Sequence, residues 1–219
     1  MSKAYIITGA NKGLGAALAN LALSQEDTLV ISISRKANKE QRSPKFYHLH
    51  TDFEEQQLIE QLGALKKILS ITDHIVFISN VGTILPIAKI GKFEENDVLT
   101  QIKVNVTSPV LIANFIVKEF ALNILDFVNI SSGAANQAIA NWSLYCSSKA
   151  FVKMFFNTLK LENGNIRVFN IDPGVLDTQM QATIRNSDFP ENKNFAKLKD
   201  DNLLKSPQDA ARDIFNNIK

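Results

Sequence analysis

Short apolar runs rich in β-branched residues recur along the chain, among them Ala4-Tyr5-Ile6-Ile7, Leu29-Val30-Ile31-Ser32-Ile33 and His74-Ile75-Val76-Phe77-Ile78. None alternates cleanly with polar positions, so the strands they predict are buried on both faces, as in a parallel sheet. Strands are expected near residues 3–8, 28–34, 45–51, 74–79, 124–130 and 165–171. Between them the apolar spacing changes to that of helices. Gly13 to Gln25 carries Leu14, Leu18 and Leu21 on one stripe, and Phe53 to Leu69, 95–120, 142–162 and 206–218 share that periodicity. Strands alternating with helices predict an α/β fold, a doubly wound parallel sheet with crossover helices. The stretch from Gln179 to Leu204 breaks the pattern: it is polar, rich in Asn, and holds Pro190. A long irregular connection there is expected, either a substrate lid over residues 179–204 or a plain surface loop.

A length of 219 residues suits one domain spanning 1–219. Twenty-four basic against 22 acidic side chains leave no basic stripe or acidic tail, so neither nucleic acid nor a membrane surface is expected as a partner. Cys146 is the only cysteine, which excludes an intrachain disulfide and a thiolate cluster. A first strand beginning near Lys3 leaves no room for a secretory leader, and no apolar run reaches membrane-spanning length. A cytoplasmic protein is the expectation.

Gly9, Gly13 and Gly15 follow the first strand and open the first helix, in the spacing Gly-x-x-x-Gly-x-Gly. Glycines there let the backbone turn tightly and approach a pyrophosphate, which the helix N-terminus favours electrostatically. The second strand ends in Ser34-Arg35-Lys36, where an acidic residue would normally take the ribose hydroxyls of NAD. Arg35 offers a charged fork suited to a 2′-phosphate, and Lys12 lies within reach of the same group, which favours NADP(H). A solvated strand end is the plainer reading of Arg35 and Lys36. Asp52 is a candidate for an adenine hydrogen bond or an N-cap for the helix near Phe53.

Tyr145 and Lys149 are four apart on an expected helix and so project from one face. A free phenol titrates near about 10, and a neighbouring ammonium is expected to lower it, making Tyr145 a candidate general acid. Ser132 follows the strand Phe127-Val128-Asn129-Ile130, where a hydroxyl faces the ligand crevice and can donate to a developing oxyanion. Trp142, one turn before Tyr145, can wall an aromatic pocket or fill the core; Phe189 and Phe195 are candidates to close over it. His48 and His50 share a strand face without an evident third ligand, so no metal site is expected. Cys146 reads as packing.

The chain resembles the short-chain dehydrogenase/reductase family, and within it the bacterial benzil reductases and sepiapterin reductase-like members. The resemblance rests on Thr8-Gly9-x-x-x-Gly13-x-Gly15, Ser79-Asn80-Val81-Gly82, Asn105, Asn129-Ile130-Ser131-Ser132-Gly133, Trp142 to Lys149 and Pro173-Gly174-Val175-Leu176-Asp177-Thr178-Gln179-Met180. It implies a Rossmann-type fold and a catalytic tetrad of Asn105, Ser132, Tyr145 and Lys149, with Asn105 holding a water that links Lys149 to solvent. The implied cofactor contacts are Gly9, Asn11, Lys12, Gly13, Leu14, Gly15, Arg35, Asp52, Phe53, Asn80, Gly82, Tyr145, Lys149, Pro173, Gly174, Val175 and Thr178. Substrate contacts fall to Ser132, Trp142 and Tyr145. Hydride transfer from NADPH to a ketone or 1,2-diketone is the implied reaction, with a sepiapterin or β-ketoacyl reductase, or a non-catalytic NADP(H) sensor, as alternatives. The family leads us to expect a homodimer or homotetramer. Two departures stand out. Ser79-Asn80-Val81-Gly82 replaces the usual Asn-Asn-Ala-Gly, and the sequence ends at Lys219 without the family's usual last strand and acidic tail, which disfavours a pterin substrate.

Overall fold

The computed structural model describes residues 2–38, 41–53 and 58–218. Strands β1 (Lys3–Thr8), β2 (Thr28–Ser34), β3 (Phe46–His50), β4 (His74–Ser79), β5 (Ile124–Ile130) and β6 (Arg167–Ile171) form one sheet in the order β3-β2-β1-β4-β5-β6. Every pairing is parallel. The chain winds outward from β1 to β3, then crosses back to β4 and winds the other way. The reversal between β1 and β4 opens a crevice at the carboxyl ends of the strands, the ligand position of such sheets.

Both sheet faces are covered, which is why the strands read as unbroken apolar runs. On one face Ile6, Ile31, Phe77 and Phe127 meet Ile112 and Ile116 of α5 (Ser108–Glu119) and Val152 and Phe156 of α6 (Ser143–Glu162). On the other, Ile7, Val30, Ile78 and Val128 meet Leu18 of α1 (Gly13–Leu23) and Ile214 and Phe215 of α9 (Pro207–Asn217). Successive strand residues alternate between these two cores, as the period of two requires.

Three expectations need correction, two helices and one irregular connection. The periodicity over Phe53–Leu69 continues as two short helices, α2 (Leu58–Leu62) and α3 (Ala64–Ile68), parted at Gly63; residues 54–57 of that expected helix lie outside the described residues. The stretch 95–120 is α4 (Glu95–Ile102), a π-helical turn at Lys103–Thr107 and then α5. Pro109 has no N–H to offer the carbonyl four residues back, that of Asn105, so the α-helical ladder is interrupted there. Residues 179–204 are not irregular. They form α7 (Gln179–Arg185) and α8 (Asn192–Asp200), with Phe189 and Pro190 in the turn between them. The polar composition reflects exposure: α8 has no buried residue, and its apolar side is largely Phe195.

Candidate active site

The glycine loop is built by close approach. Gly9 and Gly13 have φ of 71° and 55°, conformations that L side chains rarely adopt. A Cβ on Gly15 would lie 2.2 Å from the Gly9 carbonyl oxygen, so the first turn of α1 sits directly on the loop only because Gly15 has no side chain. Thr8 ties this loop to the end of β4. Its Oγ1 accepts the N–H groups of Asn80 (2.8 Å) and Val81 (3.0 Å), and Asn80 Nδ2 donates to the Thr8 carbonyl at 2.9 Å. Asn80, expected beside an adenosine, is thus a brace of the loop in this structure. The loop and the start of α1 form a cradle that requires Gly15 and fits the pyrophosphate of a dinucleotide.

Lys12, Gly13 and Lys36 line a cavity of about 870 Å³ together with Asn11, Asn20 and, from α9, Arg212. Arg35 is exposed at the same strand end. Phe53 is buried in the core, and its carbonyl accepts from Ser108 Oγ at 3.4 Å. Asp52 is half-buried just after β3. At the far end of the crevice Thr178 stands with its Cγ2 3.6 Å from the Cβ position of Gly13, so the Pro173–Thr178 segment does face the glycine loop. The Val175 carbonyl is taken by the Lys205 N–H at 3.1 Å.

Ser132, at the end of β5, shares a hydrogen bond with the Tyr145 hydroxyl and accepts the Ala134 N–H at 3.2 Å. Lys149 Nζ donates to the Ile130 carbonyl at 2.8 Å and lies 5.8 Å from the centre of the Tyr145 ring. Asn105, in the π-helical turn, pairs twice with Thr83: its Oδ1 accepts the Thr83 N–H and its Nδ2 donates to the Thr83 carbonyl, each at 2.8 Å. That clamp brings its Oδ1 within 3.4 Å, and Lys149 Nζ within 3.9 Å, of the Cβ position of Gly82. The four residues that the resemblance groups as a tetrad converge on one spot.

Their electrostatics correct one expectation. Burial pushes the Tyr145 phenol up to about 12, against the downward pull of its hydrogen bond to Ser132; the Asp172 carboxylate adds to the rise. The lowering expected from Lys149 is not what acts on Tyr145; the downward pull comes from Ser132. Burial also pushes Lys149 down to about 8, with Asp172 acting in the opposite sense. Both shifts have the same origin, the cost of a charge away from water.

Trp142 is buried, edge-on to Tyr145 at 5.8 Å between ring centres, and packs against Phe195 (5.2 Å, nearly parallel) and Phe189 (5.6 Å). With Ile84 and Ile184 these rings form a third apolar cluster above the strand ends. A cavity of about 320 Å³ adjoins it, between Gln137–Ile139 and Phe195. The histidines stay apart from this site: His48 Nε2 lies 2.9 Å from the Ser34 carbonyl, and among the described residues no group of three His, Cys, Asp or Glu is placed to hold a metal. Cys146 is a free, half-buried thiol.

Sequence reasoning missed Thr8 as the brace, Asp172, and Ser148, whose Oγ receives Asn105 Nδ2 at 3.3 Å and Gln101 Nε2 at 3.2 Å while donating to the Tyr145 carbonyl at 2.9 Å. All three lie inside or beside the quoted motifs, but only the fold shows what they touch.

The short chain dehydrogenase family model matches residues 3–188. The chain belongs to the short-chain dehydrogenase family. Among curated relatives of this family it is 35% identical over 216 residues to the benzil reductase ((S)-benzoin forming) of Bacillus subtilis, covering 93% of this chain and 88% of the relative. It is 29% identical to the sepiapterin reductase of Xenopus tropicalis, with 82% and 76% covered. The crystal structure of the KRED1-Pglu enzyme superposes with a TM-score of 0.87 at 25% identity, over 96% of this chain and 92% of that one. The protein is a short-chain dehydrogenase family oxidoreductase with a Rossmann-like sheet. No helix among the described residues is long and apolar enough to cross a membrane.

Proposed function

We propose that this short-chain dehydrogenase is a cytoplasmic, NADPH-dependent carbonyl reductase acting on small ketones, with aryl 1,2-diketones such as benzil as its preferred class. The observation that carries the reading is the hydrogen-bonded Ser132–Tyr145 pair, backed by Lys149 and walled by Trp142, Phe189 and Phe195. The likeness to a benzil reductase over most of both chains supports the diketone. The basic side chains Lys12, Lys36 and Arg212 around one cavity beside the glycine loop support a cofactor with an extra phosphate.

The cofactor would be held by the Gly9–Gly15 loop, by Lys149 at its ribose and by the Pro173–Thr178 segment. When bound, NADPH supplies a hydride for the substrate carbonyl carbon. This chain's own residues manage the oxygen. Ser132 Oγ donates to it as negative charge builds up. Tyr145 keeps its proton at neutral pH, because burial holds the phenol at about 12, yet an alkoxide is far more basic and takes that proton. The Lys149 ammonium stabilises the phenolate left behind, and Asn105, fixed by its Thr83 clamp, keeps the surrounding backbone in place.

The test is consumption of NADPH with benzil, run beside NADH and beside Tyr145→Phe. Turnover is expected in the wild type and weaker turnover with NADH. A fall of about 10²- to 10⁴-fold is expected in Tyr145→Phe, the range typical of a lost general acid. A folded protein that binds NADPH but reduces neither benzil nor other ketones would overturn the reading.

A further inference from the structure

One carboxylate stands at the carboxyl end of the sheet with no part in the mechanism above. Asp172 follows β6 directly. The β5–β6 register pairs Ile130 with Ile171, and the Ser131 N–H donates to the Ile171 carbonyl at 2.7 Å, which fixes Asp172 beside the Ser131–Gly133 turn. Its Oδ1 accepts the Gly174 N–H at 3.0 Å, and its Oδ2 lies 3.5 Å from the Cβ position of Gly133. Lys149 reaches the same rung from α6, through its bond to the Ile130 carbonyl. Lysine and aspartate therefore converge on neighbouring residues of one rung, Lys149 from α6 and Asp172 from the end of β6.

An ammonium has three donors, and the hydrogen bond found for Lys149 goes to a neutral carbonyl. A charge held out of water on that support alone gives up its proton unless an opposite charge lies near. We propose that Asp172 is a positioning residue of the proton-delivery site, the counter-charge that keeps Lys149 an ammonium beside Tyr145. This rests on the reading of Tyr145 and Lys149 as the proton-delivery pair.

The other groups facing Lys149 do not supply that charge. α6 itself contributes Tyr145, β5 leads into the neutral Ser132, the π-helical turn brings the neutral Asn105, and the loop after β4 brings Gly82. The field of Asp172 favours the proton on both Lys149 and Tyr145. Reduction needs both protons in place, so both effects extend the reaction towards alkaline pH. Asp172 is itself exposed at the crevice mouth, and solvent moderates its reach.

Asp172→Asn removes the charge and keeps an oxygen for the Gly174 N–H, so a purely structural role is left intact. In the ligand-free protein, side-chain NMR of labelled lysines, with Lys149 assigned through Lys149→Arg, is expected to show Lys149 titrating lower in Asp172→Asn by about half a pH unit or more. In turnover, the alkaline limb of kcat/KM for carbonyl reduction moves to lower pH, and Asp172→Glu restores it. A Lys149 titration unchanged in Asp172→Asn overturns the proposal, as does a slower enzyme whose alkaline limb has not moved. If the wild type reduces no carbonyl at all, the reductase reading falls and the lysine titration still decides the role of Asp172.

Discussion

Lys149 and Tyr145 are buried together, and burial acts on them in opposite directions along the pH axis. Lys149 titrates at about 8 in the folded protein against its ordinary 10.5. Below pH 8 both the folded and the unfolded chain carry its proton, and the folded state bears the cost of the buried charge. Between about 8 and 10.5 the unfolded chain binds more protons, so this residue makes stability rise with pH across that window. Lys149→Met is therefore expected to abolish reduction while stabilising the fold at pH 7 by about 2 kcal/mol. Chemical denaturation of both proteins at pH 7 checks this, and a less stable Lys149→Met would refute it. Tyr145 has the opposite sign. Its phenol is raised from 10.0 to about 12, so its contribution is complete below pH 10 and is lost as pH climbs through 12. Tyr145→Phe, followed by thermal melts, is expected to flatten the loss of stability over that interval. Gly15 acts through space alone. Gly15→Ala would set a Cβ 2.2 Å from the Gly9 carbonyl, a backbone contact that no rotamer relieves, so the loop must open and dinucleotide affinity should fall at least tenfold by calorimetry.

At the scale of elements, the site depends on how the glycine loop and the α7–α8 pair are tied down. Thr8 Oγ1 satisfies two backbone donors from the segment after β4, and Thr8→Val keeps the shape while leaving both N–H groups unpaired. A loss of about 2 kcal/mol is expected, with weaker cofactor binding, read by denaturant melts and calorimetry. Residues 179–204, expected as a lid or a plain surface loop, carry α7 and α8 against the third apolar cluster. Phe195 of α8 stacks on Trp142, and Trp142 meets Tyr145 edge-on, so the aromatic wall couples residues 179–204 to Tyr145. Phe195→Ala is expected to raise KM for an aryl diketone about tenfold while leaving kcat for a small aliphatic ketone nearly unchanged. These contacts also mark what the sequence made legible. The four inner strands could be placed to the residue because burial on both faces leaves an unmistakable apolar run, while the half-exposed edge strands β3 and β6 were placed to within two residues. The meeting of Ser132, Tyr145 and Lys149 was foreseeable because their spacing along the end of β5 and along α6 is short; Asn105 came only from the family resemblance. The helices α7 and α8 were not foreseeable, because their polar surface hides the period and their apolar anchors, Ile184 and Phe195, serve the third cluster rather than the main core. The break at Gly63 and the π-helical turn at Asn105 were hidden for a different reason: hydrophobic spacing is nearly the same on either side of a local change of winding.

Across the whole molecule the two ends of the sheet divide the work. The carboxyl ends carry the glycine loop, the tetrad and the aromatic wall. The amino ends carry a charge network centred on Asp126, which is 1% exposed. Its carboxylate accepts Arg167 Nε at 2.7 Å and Nη2 at 2.6 Å in a two-point fork, and lies 2.7 Å from His74 Nε2. These groups start β4 and β6 and stand near the beginning of β5, so the network fastens three adjacent strands at the end far from the chemistry. Asp126→Asn removes the charge while keeping the shape and leaves Arg167 without its counter-ion at a largely buried contact. Truncating one partner of such a buried pair costs about 3 kcal/mol, somewhat less here because the Arg167 side chain is 48% exposed. A lower thermal midpoint is therefore expected, with kcat and the pH profile of the folded fraction unchanged. Normalising activity to folded protein across the melt separates the two effects. A loss of kcat at temperatures where Asp126→Asn is fully folded would mean that the strand register at the amino ends is transmitted through β5 to Ser132, and that the division between the ends is not real.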